Sequence, residues 1–249
     1  GEHSRRAHRR RAAAAAGTIG RRRHLRAGLP STLKPMEIEA VLWDFGGVLT
    51  GSPFEAFNRY EAELGLPRDF IRRVNTIDPH ANAWARMERA EITVEQFARD
   101  FEAEARALGG ELSGRRVIEL LGGALRPEMV EALKRVRAHY RVACITNNVP
   151  GSHGPGMAAS AQRAAELAAV FALFEQVVES SKLGLRKPDP AIYRHACALL
   201  GVAPQACVYL DDLGINCKPA RELGMRTIKV ESAAQAITEL EALLGLPLR

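Results

Sequence analysis

From Glu39 onward the chain alternates between two kinds of segment, and this alternation limits the folds open to it. Short runs rich in apolar and β-branched residues occupy 40–43, 141–146, 176–178, 206–210 and 226–230. Longer segments with apolar residues at helical spacing occupy 127–139, 156–171, 190–200, 216–223 and 233–244. A strand that is apolar throughout must be covered on both faces, and helices between successive strands supply that cover. The pattern therefore predicts an α/β fold with a parallel sheet between helical layers. Pro127 and Pro190 suit a first helical turn, where the missing N–H has no partner to lose. Gly201 and Gly224 suit helix ends.

Residues 53–122 interrupt the alternation with consecutive helices and no strand. Phe54, Phe57, Tyr60 and Leu64 fall on one helical face. Thr93, with Gln96 three residues on, reads as a capping box for a helix presenting Val94, Phe97, Phe101 and Leu108. An insert directly after the first strand is expected above the carboxyl edge of the sheet, where open α/β sheets bind ligands. The expected organisation is a core of 37–52 and 123–249, a helical insert of 53–122, and a separate tail of 1–36.

The tail has to be set apart before charge is interpreted. Residues 1–36 hold ten Lys/Arg and one acid, whereas the remainder holds 25 Lys/Arg against 28 Asp/Glu. The net charge of +6 thus belongs to the tail, and nucleic acid is not an expected partner of the folded body. The tail is expected to be a disordered or non-native extension preceding Met36. The alternatives are an organellar transit peptide or an interaction arm. No apolar stretch approaches the ~20 residues of a membrane span. Cys144, Cys197, Cys207 and Cys217 show no C-x-x-C spacing, which fits reduced thiols. The expected location is cytoplasmic, or organellar if the tail is a transit peptide; the oligomeric state is left open.

Four stretches at or just after strand ends carry chemistry. In Trp43-Asp44-Phe45-Gly46-Gly47, a carboxylate ends a strand and two glycines let the backbone turn and approach a ligand. Alone, Asp44 equally suits a cap or a turn. In Tyr209-Leu210-Asp211-Asp212, adjacent acids repel unless something cationic neutralises them, although a solvated turn is the plain alternative. With Asp44 they form an oxygen-rich set of the kind that magnesium takes. Thr146 and Asn147 offer donors to an anion. Lys187, kept out of helix by Pro188, offers a cation. Trp43 and Trp84 read as packing residues, and His153 as part of a loop.

Asp, Thr-Asn, Lys-Pro and Asp-Asp, in that order at successive strand ends, resemble the four motifs of haloacid-dehalogenase-like (HAD) hydrolases over roughly residues 38–245. The stretch Glu179-Ser180-Ser181-Lys182-Leu183-Gly184-Leu185-Arg186-Lys187-Pro188-Asp189-Pro190 resembles the subgroup with the phosphatase domain of soluble epoxide hydrolase and HAD-like segments of acyl-CoA dehydrogenase fusions. The resemblance implies a Rossmann-like sheet with a helical cap at 53–122. It also implies a Mg²⁺-dependent phosphatase in which Asp44 attacks a small phosphorylated substrate. By the same resemblance Asp44, the Gly46 carbonyl and Asp212 hold the metal, with Asp211 acting through water and Asn216 in support. Thr146, Asn147, Gly47 and Lys187 bind the phosphate, and Asp44, Thr146 and Lys187 are catalytic. One position departs from the family. Its phosphatases carry a second Asp, the general acid–base, where this chain has Gly46. His80, Glu88 and Glu91 are the candidates in the insert to replace it. A weak or inactive phosphate-binding module and a 2-haloacid dehalogenase are the alternatives.

Overall fold

The structure is a computed structural model, and it describes residues 37–149, 156 and 160–249. The basic tail and His153 lie outside the described residues. Five strands form one sheet: β1 (Ala40–Trp43), β2 (Arg141–Thr146), β3 (Gln176–Glu179), β4 (Cys207–Asp211) and β5 (Arg226–Lys229). Their order is β3-β2-β1-β4-β5, with every pairing parallel. The chain builds outward from β1 on one side through β2 and β3. It then crosses to the other side through β4 and β5, which makes the edge above β1 the switch point of the sheet.

Side chains alternate across the sheet, and the core divides accordingly. Val41 and Trp43 pack on one face against α6 (Pro127–Arg137), α7 (Ala161–Phe171) and α11 (Ala233–Leu244). Ala40 and Leu42 pack on the other against α9 (Pro190–Leu200) and α10 (Gly214–Glu222). All four β1 residues are fully buried. A central strand covered on both faces is what an uninterrupted apolar run requires.

Between β1 and α6 lie five helices: α1 (Phe54–Glu63), α2 (Phe70–Thr76), α3 (Ala83–Glu88), α4 (Val94–Ala107) and α5 (Gly114–Glu119). They enclose their own cluster around Phe57, Phe70, Phe97 and Phe101. The Thr93/Gln96 capping box is formed as its spacing predicts. The short α8 (Ser180–Leu183) follows β3 directly. Among the described residues, no helix is long and apolar enough to cross a membrane.

The remaining differences from the sequence reading lie at element ends. The Ser160 hydroxyl accepts from the Arg163 N–H, so α7 starts at Ala161 rather than at 156. The α10 helix begins two residues before 216, at Gly214, where the Leu213 N–H is already fixed on Asp211. The β4 strand runs one residue past Leu210 and carries Asp211 as its last residue.

Candidate active site

Parallel register brings the strand-end residues together. Trp43 pairs with Leu210, and the Asp44 N–H donates to the Leu210 carbonyl at 2.8 Å. Asp44 therefore stands level with Asp211 on one neighbour, while Thr146 ends the other neighbour, β2. Asp44 Oδ1 accepts from the Phe45 N–H at 2.7 Å and from Lys187 Nζ at 2.7 Å. Lys187 Nζ also lies 2.8 Å from Asp211 Oδ2.

Asp211 is fully buried and is the anchor of the cluster. Its Oδ1 accepts from the Leu213 N–H at 2.8 Å and from Asn216 Nδ2 at 3.1 Å. Its Oδ2 accepts from Lys187, Asn216 and the Tyr209 hydroxyl. The backbone carbonyl of Asn216 is in turn held by the Tyr193 hydroxyl at 2.8 Å. A buried charge is tolerated only when paired and hydrogen-bonded, and Asp211 meets that condition with protein groups alone.

Asp44, Asp211 and Asp212 have carboxylate oxygens within 4.8 Å of one another. Burial pushes the Asp44 carboxyl well above the usual carboxylate range; Lys187 opposes this, and Asp211 and Asp212 add to it. Burial and Asp211 push Asp212 up to about 6, against Lys187 and Arg126. Burial disfavours the Lys187 ammonium, but Asp211 and Asp44 outweigh it and hold the amine protonated. The site thus has more negative charge than Lys187 alone neutralises, and its donor set is all oxygen, which fits a hard divalent cation.

A cavity of about 500 Å³ opens onto this cluster. Asp44, Gly46, Thr146, Lys187, Asp212 and Asn216 line its sheet side, and Phe54, Phe57, Trp84, His80 and Glu88 line it from the helical segment. Three of the expected site residues also make contacts with the protein itself. The Asn147 side chain is committed to protein: its Oδ1 accepts from the Lys187 N–H at 2.8 Å. Its Nδ2 donates to the Lys187 carbonyl at 3.0 Å and to Glu88 Oε2 at 3.1 Å. That amide holds the backbone of Lys187, and Asn147 itself lines the cavity beside Thr146. Gly47 lies outside the lining of this cavity; its φ is +75°, and a Cβ there would collide with the Asp212 carboxylate. The absence of a side chain lets Asp212 approach. Asp211 has both oxygens engaged and lies outside the lining, where it orients Lys187 and Asn216, and it belongs to the carboxylate cluster that could hold a metal.

Of the three candidates for the missing acid, His80 and Glu88 line the cavity, whereas Glu91 is exposed and paired with Arg89 at 2.6 Å. Trp84 does more than pack: it lines the cavity, and its Nε1 donates to Glu88 at 2.9 Å. Neither residue stands near Asp44 in sequence, so no local pattern marks them. Trp43 is core, with no surface exposed.

Comparison with known proteins agrees with this architecture. A family profile for haloacid dehalogenase-like hydrolases matches residues 38–224. Acyl-CoA dehydrogenase family member 10 of Mus musculus is 32% identical over 84% of the chain. Bifunctional epoxide hydrolase 2 of Sus scrofa is 31% identical over 86%. The chain spans only 19% and 40% of the lengths of these two relatives. Phosphatase MT3486 of Mycobacterium tuberculosis is 30% identical over 80% of the chain and is itself covered over 90%. Among solved structures, a HAD family enzyme of Bacteroides thetaiotaomicron in complex with magnesium and inorganic phosphate superposes with a TM-score of 0.52. It is 21% identical, with 82% of this chain and 98% of that one covered. A dehalogenase structure superposes with a TM-score of 0.58 at 19% identity, over 84% of this chain and 98% of that one, so the fold is shared across chemistries. With the profile matched across both the sheet edge and the helical segment, this chain belongs to the haloacid dehalogenase-like hydrolase family.

Proposed function

We propose that the chain is a magnesium-dependent phosphatase for a small phosphomonoester, with Asp44 as its nucleophile and residues 53–122 as its cap. One observation carries this reading: Asp44 lines one cavity together with Thr146, Lys187 and Asp212, with Lys187 Nζ 2.7 Å from its Oδ1. A phosphatase-named relative and a structure of the same fold holding magnesium and phosphate support it. The Asp44 and Asp212 carboxylates and the Gly46 carbonyl would hold the metal, with Asp211 and Asn216 behind them. When bound, the metal offsets repulsion between the nucleophile and an anionic phosphate.

The remaining steps belong to the chain's own groups. Asp44 Oδ2 attacks phosphorus, the ester P–O bond breaks, and its electron pair leaves with the alkoxide. Lys187, held between Asp44 and Asp211, keeps Asp44 ionised and aimed. The Thr146 hydroxyl donates to a phosphate oxygen. Water then attacks the aspartyl-phosphate at phosphorus, releasing inorganic phosphate and restoring Asp44. No side chain at position 46 protonates the leaving oxygen. That proton comes from solvent or from His80, and turnover favours esters whose leaving group needs no proton.

Hydrolysis of p-nitrophenyl phosphate, with magnesium or with chelator and alongside Asp44→Asn, tests the proposal. Magnesium-dependent turnover that disappears in Asp44→Asn is expected. Turnover no higher than the Asp44→Asn background would reduce the site to a phosphate-binding module. Turnover indifferent to chelator would overturn the metal assignment.

A further inference from the structure

Glu88 is a buried carboxylate at the end of α3, far from the acid cluster in sequence, and its three partners have a common destination. Oε1 accepts from Trp84 Nε1 at 2.9 Å, within the helical segment. Oε2 accepts from Arg186 Nε at 2.5 Å and from Asn147 Nδ2 at 3.1 Å, both on the sheet side. Arg186 precedes Lys187 in the chain and also donates to the Pro79 carbonyl at 3.0 Å. Asn147 closes two hydrogen bonds on the backbone of Lys187. Glu88 is thus one bond from each of the two residues that fix the position of Lys187, whose ammonium lies 2.7 Å from Asp44.

A carboxylate so buried is stable only while its cationic and amide partners are in place. Separating α3 from the sheet edge strands Glu88, Arg186 and Asn147 together. Seating of the helical segment and placement of Lys187 are therefore one event. We infer that Glu88 is a positioning residue: it latches the helical segment to the Arg186-Lys187 loop and, through Asn147, sets Lys187 against Asp44 only when that segment is seated. This excludes Glu88 as the replacement general acid, since its oxygens serve Arg186, Asn147 and Trp84.

The inference rests on the reading of Lys187 as the cation that serves Asp44, so its test has one readout that needs no turnover. Hydrogen exchange in Glu88→Ala, compared with wild type, is expected to accelerate in peptides covering 184–189 and 147–149 and to stay unchanged in α7 and α11. Equal exchange at the Lys187 loop in the two proteins overturns the latch, whether or not the wild type hydrolyses phosphate esters. Acceleration across the whole molecule also overturns it, because it marks a general loss of stability. Steady-state kinetics add a second arm. Glu88→Ala is expected to lower kcat by roughly ten- to a hundredfold with KM little changed, the size typical of a small misplacement of catalytic groups. In a double-mutant cycle, the losses of Glu88→Ala and Asn147→Ala are expected to be less than additive, because part of the effect of Glu88 runs through Asn147. Additive losses would show that it does not. A wild type without turnover, together with a loosened Lys187 loop in Glu88→Ala, would sink the phosphatase reading and leave the latch standing.

Discussion

Two regions build the cavity, and they fix their side chains by different means. The sheet edge places Asp44, Thr146 and Asp211 by backbone register: each ends or directly follows one of three adjacent parallel strands, so hydrogen bonds that form anyway bring the three together. The helical segment places Trp84, His80 and Glu88 on α3 and the turn before it. They reach the same cavity only because a separate apolar cluster around Phe97 and Phe101 holds that segment in shape. In the first region a residue's role follows from where its strand ends. In the second it follows from contacts between residues 59 and 98 positions apart, Asn147 and Arg186 with Glu88. Chemistry is thus expected to depend most on the sheet edge, and control of access and alignment most on the helices.

The sharpest break of this comparison is at the sheet edge. Asp44→Asn keeps the shape and removes the proposed nucleophile, so turnover is expected to fall at least about 10³-fold with the fold intact, as read by magnesium-dependent p-nitrophenyl phosphate hydrolysis and circular dichroism. Residual turnover within tenfold of wild type would remove Asp44 from the mechanism. Lys187→Met comes next. Losing one fixed donor typically costs about 2.7–4 kcal/mol in the barrier, or about 10²–10³ in kcat. It also leaves the buried Asp211 without its cation, so a lower melting temperature is expected alongside.

A substitution at position 46 works in the opposite direction. An added Cβ at Gly46 meets no atom within 4 Å, and the residue lines the cavity. Gly46→Asp therefore supplies a carboxyl at the position where the proposed mechanism has no general acid. Such a group contributes roughly 10²–10⁴-fold when well placed. Turnover of an alkyl phosphate is expected to rise far more than that of p-nitrophenyl phosphate, whose leaving group needs no proton. An equal response from both esters would show that proton donation is not what position 46 lacks.

Much of this contrast was legible in the chain before folding. All five strands follow from apolar runs, and α9 and α11 occupy their predicted spans because proline or serine starts them and glycine ends them. Asp44, Thr146, Lys187 and Asp212 were marked by order and by their neighbours. The work of Asn147 was not, because an Asn after Thr looks the same whether its amide faces a ligand or the backbone of Lys187. The packing of Gly47 was hidden for a related reason: its positive φ is a backbone property, and the group that needs the room, Asp212, lies 165 positions away. Glu88 was one acid among several in an acid-bearing insert until its partners were in place.

The smallest expected effect concerns the acid cluster as a source of strain. Burial and Asp211 push Asp212 up to about 6, whereas an unfolded Asp titrates near 3.9. Between these values the folded state binds more protons than the unfolded one, so stability falls as pH rises through that window. Asp44 is raised as well and acts in the same direction. Lys187 is raised above its ordinary value near 10.5, so its contribution is constant at these pH values and is lost only in strong alkali. In chelator, wild type is thus expected to lose melting temperature relative to Asp212→Asn as pH climbs from about 4 to about 6. Magnesium is expected to stabilise wild type more at pH 7 than at pH 5, because more of Asp212, pushed up to about 6, has released its proton at the higher pH. A wild type that gains on Asp212→Asn through that window would show that the carboxylates are not strained. A magnesium shift equal at both pH values would place the cation away from Asp44 and Asp212.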